Sequence, residues 1–174
     1  VLLAETLGLT RSHPDYYPLQ VGNHVLSGAF YATRLYHDLR EKAGLVYTVE
    51  SLLDVGKTRS TFQVFYACDP PNVPRATELV KRDLQLMQTS PVTAAELQQA
   101  KTLLLKELPL SESSFEGIGE KLLYLALLDL PLDEPLHAAK RYKDITAEQV
   151  QAAFARWIRP EDLVQVSLGP KPKE

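Results

Sequence analysis

Between Thr33 and Glu50, in TRLYHDLREKAGLVYTVE, the hydrophobic period changes from helical to extended across a single glycine. Leu35 and Leu39 lie four apart and share one face of a short helix. Thr33 stands where a capping side chain belongs, and Asp38 is placed to pair with Lys42 one turn on. Gly44 follows the charged stretch Arg40-Glu41-Lys42 and has free access to the positive φ that commonly ends a helix. From there the period is two. Leu45, Tyr47, Val49 and Ser51 fall on one face of a strand, and Val46, Thr48 and Glu50 on the other. Such a corner folds Arg40, on the last helical turn, back towards Tyr47, early in the strand.

The flanking segments sort by the same rule. VLLAETLGLT opens the sequence as a strand, with Leu3, Glu5, Leu7 and Leu9 on one face and Leu2, Ala4 and Thr6 on the other. A sequence that begins inside a strand is expected to be a piece of a longer one. Pro14 suits the first turn of a helix over Asp15 to Leu26, with Tyr17, Val21, His24 and Val25 at near-helical spacing and Gly28 as its breaker. The strand from Leu45 to Leu53 is followed by a loop, DVGKTRS, and by a second strand, Ser60 to Cys68, as its hairpin partner. Asp69-Pro70-Pro71-Asn72 ends that strand.

Helices dominate from there. Val73, Ala76, Leu79, Val80, Leu84 and Met87 form one apolar stripe. Thr93 and Glu96 make a capping box before a helix with Leu97, Ala100, Leu103, Leu104 and Leu108 inward, which Pro109 is expected to end. Ser113 to Glu116 is a second capping candidate, ahead of the helix through KLLYLALLDL. A short helix is expected around His137 to Tyr142, and Thr146 to Gln149 caps another that Pro160 stops. Leu163 to Leu168 reads as the last strand. Adjacent strands and grouped helices predict an α+β domain rather than a doubly wound parallel sheet.

The chemistry open to the chain is narrowed by what it lacks. Its 174 residues suit one domain, able to bury roughly 70% of its unfolded surface. A formal charge of −3 gives no general attraction to nucleic acid or anionic membrane. Arg141-Tyr142-Lys143 and Arg156-Trp157-Ile158-Arg159 therefore read as solvated faces. The longest apolar run, Leu122 to Leu128, falls far short of the ~20 residues of a membrane span. Cys68 stands alone, so neither an internal disulfide nor a thiolate zinc site is possible. His13, His24, His37 and His137 lie in neither HxxEH nor HExxH, so no metal site is expected. Gly56-Lys57-Thr58 imitates a phosphate loop, but Ser51 stands where that loop needs glycine and a strand follows. No G-x-S-x-G turn for a serine nucleophile occurs.

LYHDLREKAGLVYTV resembles the helix-to-strand segment, LxxxLREKxGLxY, of the C-terminal domains of the M16 (insulinase/pitrilysin-like) zinc metallopeptidases. HPDYYPLQVGNHVLSG, DPPNVPRATELV, PVTAAELQQAKTLL and DITAEQVQAAFARWIRPEDLVQVSLGP resemble further family segments in the same order, over nearly the whole chain. The resemblance implies an antiparallel sheet packed on a layer of helices, the M16 (LuxS/MPP-like) domain, as one domain over residues 1–174 of a longer two-domain protein. It implies that Arg40 and Tyr47, seven residues apart, support substrate on the far side of a cleft whose zinc and HxxEH motif belong to a homologous partner domain.

This chain alone would then be inactive and hold no cofactor. Its partners would be that domain and a peptide substrate, with a homo-dimer of the isolated domain through an exposed apolar face. The glycine-rich substrate loop of the processing peptidases has no counterpart here. The alternative is an M16-like structural or assembly domain, as in the core subunits of respiratory complexes. The family leaves a bacterial periplasmic or cytoplasmic location open.

Overall fold

The structure, a computed structural model, describes residues 1–28, 32–110 and 114–170; Ser113 of the expected SSFE cap and the KPKE tail lie outside the described residues. Four strands form one antiparallel sheet in the order β2-β3-β1-β4. They are β1 (Leu2–Leu7), β2 (Val46–Val55), β3 (Ser60–Cys68) and β4 (Val164–Val166). β2 and β3 form the expected hairpin, Val55 opposite Ser60, closed where Gly56 N–H donates to the Arg59 carbonyl at 3.1 Å. The GKT stretch is therefore a turn.

The alternating residues of β1 and β3 explain the layer beneath. Leu3, Leu7, Phe62, Val64 and Tyr66 are buried on one face of the sheet, and helices cover that face. The α-helices in chain order are α1 (Tyr16–Asn23), α2 (Val73–Thr89), α3 (Ala94–Leu110), α4 (Phe115–Leu127), α5 (Glu134–Asp144) and α6 (Ala147–Trp157). α6 packs on both α1 and α2, and Phe154 meets Phe62 edge to face at 6.5 Å between ring centroids. The approach of α1 to α6 depends on Gly22, where an added Cβ would sit 2.2 Å from the Phe154 ring. The expected stripe of α2 is buried at Ala76, Leu79, Val80, Leu84 and Met87. Both capping boxes form: Thr93 with Glu96, and Thr146 with Gln149.

Arg11 anchors the β1–α1 connection to α5. Its guanidinium lies 3.7 Å from the Tyr16 ring centroid and 5.1 Å from that of Tyr17, and it donates to Glu134 Oε1 at 2.5 Å. Tyr17 O–H donates to the same oxygen. A buried arginine so paired and stacked keeps its charge. Burial pushes the Tyr16 phenol up to about 12.

Several expected elements form with geometry or bounds of their own, and two expectations, the Pro109 stop and the length of the last strand, need correction. α1 continues as a π-helical turn through His24–Gly28, and the short helix expected after Thr33 takes π-helical geometry over Tyr36–Lys42. α3 runs through Pro109 to Leu110, because a proline at the last turn forfeits only one intrahelical bond. The helix expected around His137 spans Glu134–Asp144. The last strand is three residues, Val164–Val166, paired with Ala4 to Leu2. Upstream of it the chain is tied elsewhere: Glu5 accepts from the Arg159 backbone at 2.9 Å.

The strict alternation read for β2 also fails. The register shifts between Val46 and Thr48, so Tyr47 is the extra residue of a β-bulge. Val46 and Val49 are both buried while Tyr47 and Thr48 face out. One inserted residue flips the expected faces and turns Tyr47 away from Val49.

Candidate functional site

The corner that orders the sequence also builds the exposed site. Leu35 and Leu39 are fully buried, which fixes the face of the Tyr36–Lys42 segment and leaves Arg40 outward. Gly44 adopts φ +62°, and the segment's last carbonyls are satisfied by Ala43, Gly44 and Leu45 N–H groups at 2.9–3.2 Å. The Arg40 guanidinium lies 5.7 Å from the Tyr36 ring centroid. Tyr47 is 60% exposed, and its hydroxyl donates to Asp69 Oδ2 at 2.8 Å. That carboxylate raises the phenol's pKa. The two residues singled out by sequence therefore sit on either side of one corner, each held by its own neighbour, Tyr36 for Arg40 and Asp69 for Tyr47.

Two ion-pair groups hold the corner to the helices. Arg34, just ahead of the segment, donates to both Glu96 oxygens at 2.7 and 2.9 Å, and Glu96 is the carboxylate of the α3 capping box. The Arg34 hydrogen bonds hold the Glu96 carboxyl down to about 2. On the other side, Asp38 accepts from Lys42 at 2.9 Å and from Arg82 of α2. Arg82 also bonds the adjacent Asp83 at 2.6 Å. Asp83 is buried with one oxygen unpartnered among the described residues, and burial pushes it up to about 6 against the pull of Arg82.

Beside the corner lies the uncovered face of the sheet. The pairing register sets Glu50, Phe65, Leu2 and Val166 in one row and Leu52, Gln63, Ala4 and Val164 in the next. Leu52, Phe65, Val164 and Val166 are between 42% and 66% exposed, an apolar surface with polar side chains interleaved.

The histidines are dispersed. His13 faces Asp15 and Trp157, His24 faces Glu107, His37 faces Glu41 and His137 faces Asp133. Among the described residues no group of three or more His, Cys, Asp or Glu side chains could hold a metal ion. No described helix is long and apolar enough to cross a membrane.

Residues 2–104 match the family described as the peptidase M16 inactive domain. The chain belongs to that family. Among solved structures, a peptidase M16 inactive domain from Pseudomonas fluorescens is similar over 97% of this chain and 42% of its own, at 26% identity and TM-score 0.76. A protease from Helicobacter pylori is similar over 93% of this chain and 39% of its own, at 14% identity and TM-score 0.80. A chain of complex III2 from Candida albicans is similar over 90% and 39%, at 13% identity and TM-score 0.78. The chain thus spans less than half the length of these three. No curated protein sequence matches it.

Three neighbours of the site in this M16 inactive domain escaped the sequence reading. Asp69 was visible only as the first residue of a strand-ending turn, and Tyr36 and Arg82 only as members of helices. Their shared signal was position: Tyr36 precedes Arg40 by one helical turn, and Asp69 directly follows the strand paired with β2.

Proposed function

We propose that this domain is the non-catalytic half of an M16-type zinc endopeptidase, one part of a longer or paired protein, completing the substrate cleft through Arg40 and Tyr47. The observation that carries the reading is the exposed placement of both residues at one corner, within a segment that keeps the family's LxxxLREKxGLxY pattern. The zinc and its activated water would belong to a homologous domain bearing HxxEH. This chain's residues would bind and orient the peptide.

The residue types suit that role. Arg40 presents a fixed charge and a fork of donors to peptide carbonyl groups or to an oxyanion. Tyr47 commits its proton to Asp69 in the free domain, which leaves its oxygen lone pairs for a substrate N–H. Donation to a developing oxyanion follows once the hydroxyl turns from Asp69. The uncovered sheet face would form the cleft wall, its apolar rows taking substrate side chains.

The second reading, a structural or assembly domain, is favoured by the likeness in fold to a chain of complex III2. Reconstitution separates the two. The domain alone is expected to cleave no peptide and to carry no stoichiometric zinc, and an HxxEH-bearing partner domain is expected to gain peptidase activity when this domain is added. If the partner's turnover is indifferent to the addition, the assembly reading replaces the enzymatic one.

A further inference from the structure

Tyr47 is exposed, and an exposed hydroxyl ordinarily exchanges a protein partner for water at little cost. Its bond to Asp69 differs because the backbone fixes both ends. On one side, the register shift between Val46 and Thr48 leaves Tyr47 without a partner of its own on β3. A bulge of this kind re-aims the side chain it carries. On the other side, Asp69 follows Cys68, the partner of Val46, and opens the turn Asp69-Pro70-Pro71-Asn72.

Two prolines stiffen that turn. Pro70 confines the residue before it to extended backbone, and Asp69 has φ −66° and ψ 146°. Pro70 and Pro71 fix their own φ within a 3-10 turn, closed where Asn72 N–H donates to the Asp69 carbonyl at 2.9 Å. The turn is tied to the corner on either side of Val46. Asn72 Nδ2 donates to the Leu45 carbonyl at 3.3 Å, and the Asp69 carboxylate accepts from Tyr47 at 2.8 Å. Asp69 makes no side-chain bond to cap its own helical turn, which leaves the carboxylate to the phenol.

We infer that Asp69 is a positioning residue for Tyr47: the stiff DPPN turn holds a carboxylate that takes the phenol's proton into a hydrogen bond, so that the oxygen's lone pairs face an incoming peptide. The inference rests on the proposed role of Tyr47 in substrate binding. Asp69 acts through the phenol and touches no substrate itself. A hydroxyl whose proton is committed accepts from a peptide N–H, whereas a freely turning one presents its proton to the same N–H for part of the time.

One measurement needs no substrate. The isotope-labelled Cζ resonance of Tyr47, assigned by its loss in Tyr47→Phe, is followed through an alkaline titration of the chain. Asp69→Ala is expected to shift the resonance at neutral pH and to lower the titration midpoint towards the ordinary value for tyrosine, because the carboxylate raises it. Asp69→Asn keeps an accepting oxygen, so the neutral-pH resonance should stay near wild type while the midpoint falls with the lost charge. A resonance and midpoint in Asp69→Ala identical to wild type would overturn the inference.

The other measurement is peptide hydrolysis with an HxxEH-bearing partner domain. Asp69→Ala is expected to raise KM about threefold or more with kcat within about twofold, and Asp69→Asn to recover most of that loss. In a Tyr47→Phe background neither substitution should matter, since the hydroxyl they act through is gone. Wild-type KM in Asp69→Ala alongside lost activity in Tyr47→Phe would overturn the inference. So would an undiminished loss from Asp69→Ala in the Tyr47→Phe background. Wild-type kcat/KM in Tyr47→Phe would instead sink the substrate role of Tyr47, while the resonance still decides whether Asp69 holds the hydroxyl.

Discussion

α6 and α4 are helices of 11 and 13 residues, each opened by a hydroxyl side chain that accepts from a backbone N–H three residues on. α4 is the more leucine-rich, yet α6 buries Val150, Ala153 and Phe154 between α1 and α2 while α4 buries Leu125 alone. Local signals brought both helices into being, but they do not say what each helix packs against. In α6 the apolar residues recur at three and four and fit one neighbouring surface. In α4 they surround the helix, and the domain supplies a neighbour for only one side.

The contrast is sharpest in the core. Phe154→Ala is expected to remove about 3–5 kcal/mol of unfolding free energy, since it empties a site against Phe62 and Gly22. Leu123→Ala in α4 is expected to change it by less than about 0.5 kcal/mol, being already in solvent. Urea titrations of the two variants compare them directly. Similar losses would show that α4 belongs to the cooperative core.

The caps offer a smaller version of the comparison. Thr146→Ala breaks a complete capping box and is expected to cost about 1 kcal/mol globally. Ser114→Ala removes the bond to Gly117 N–H but should leave the global midpoint almost unmoved, because α4 opens locally before the domain unfolds. Hydrogen exchange should then report α4 amides exchanging far faster than those of α6, and faster again in the serine variant.

The smallest effect concerns the two carboxylates bracing the Arg40 corner, whose pKa values move in opposite directions. Glu96 is held at about 2, so its ionised form favours the folded chain above the ordinary value of 4.5, and that contribution disappears as pH falls through about 2. Asp83 is raised to about 6, so the folded chain favours its protonated form, and stability is lost as pH rises from about 4 to about 6. Stability measured against pH should lose its decline between pH 4 and 6 in Asp83→Asn, and lose part of its fall below pH 4 in Glu96→Gln. An unchanged profile in both would show that neither brace titrates with folding.

Much of this fold was legible because period and burial coincide: the Ser60–Cys68 strand, the α2 stripe, both complete capping boxes and the Gly44 stop all lie where residue type alone places them. The candidate residues were legible through a local pattern, but their setting was not. A one-residue bulge at Tyr47 leaves no mark in the hydrophobic alternation, and it reverses which neighbours the ring meets. Asp69 reaches Tyr47 across the β2–β3 hairpin, a contact 22 residues apart that spacing cannot announce. The exposure of α4 was hidden because leucines in a helix look the same in sequence whether a neighbour exists or not.

Arg40 and Tyr47 are proposed to contact substrate, and kcat/KM for peptide hydrolysis by the domain paired with an HxxEH-bearing partner domain tests that contact directly. Tyr47→Phe keeps the ring and Arg40→Ala removes an exposed charge, so zinc content and unfolding midpoint should match wild type in both. Each variant is predicted to lose about tenfold or more in kcat/KM, within reach of the ~10²–10³ that loss of one oxyanion donor costs elsewhere. Wild-type kcat/KM in both variants, with fold and zinc intact, would contradict the claim and leave the pair a feature of the corner's structure.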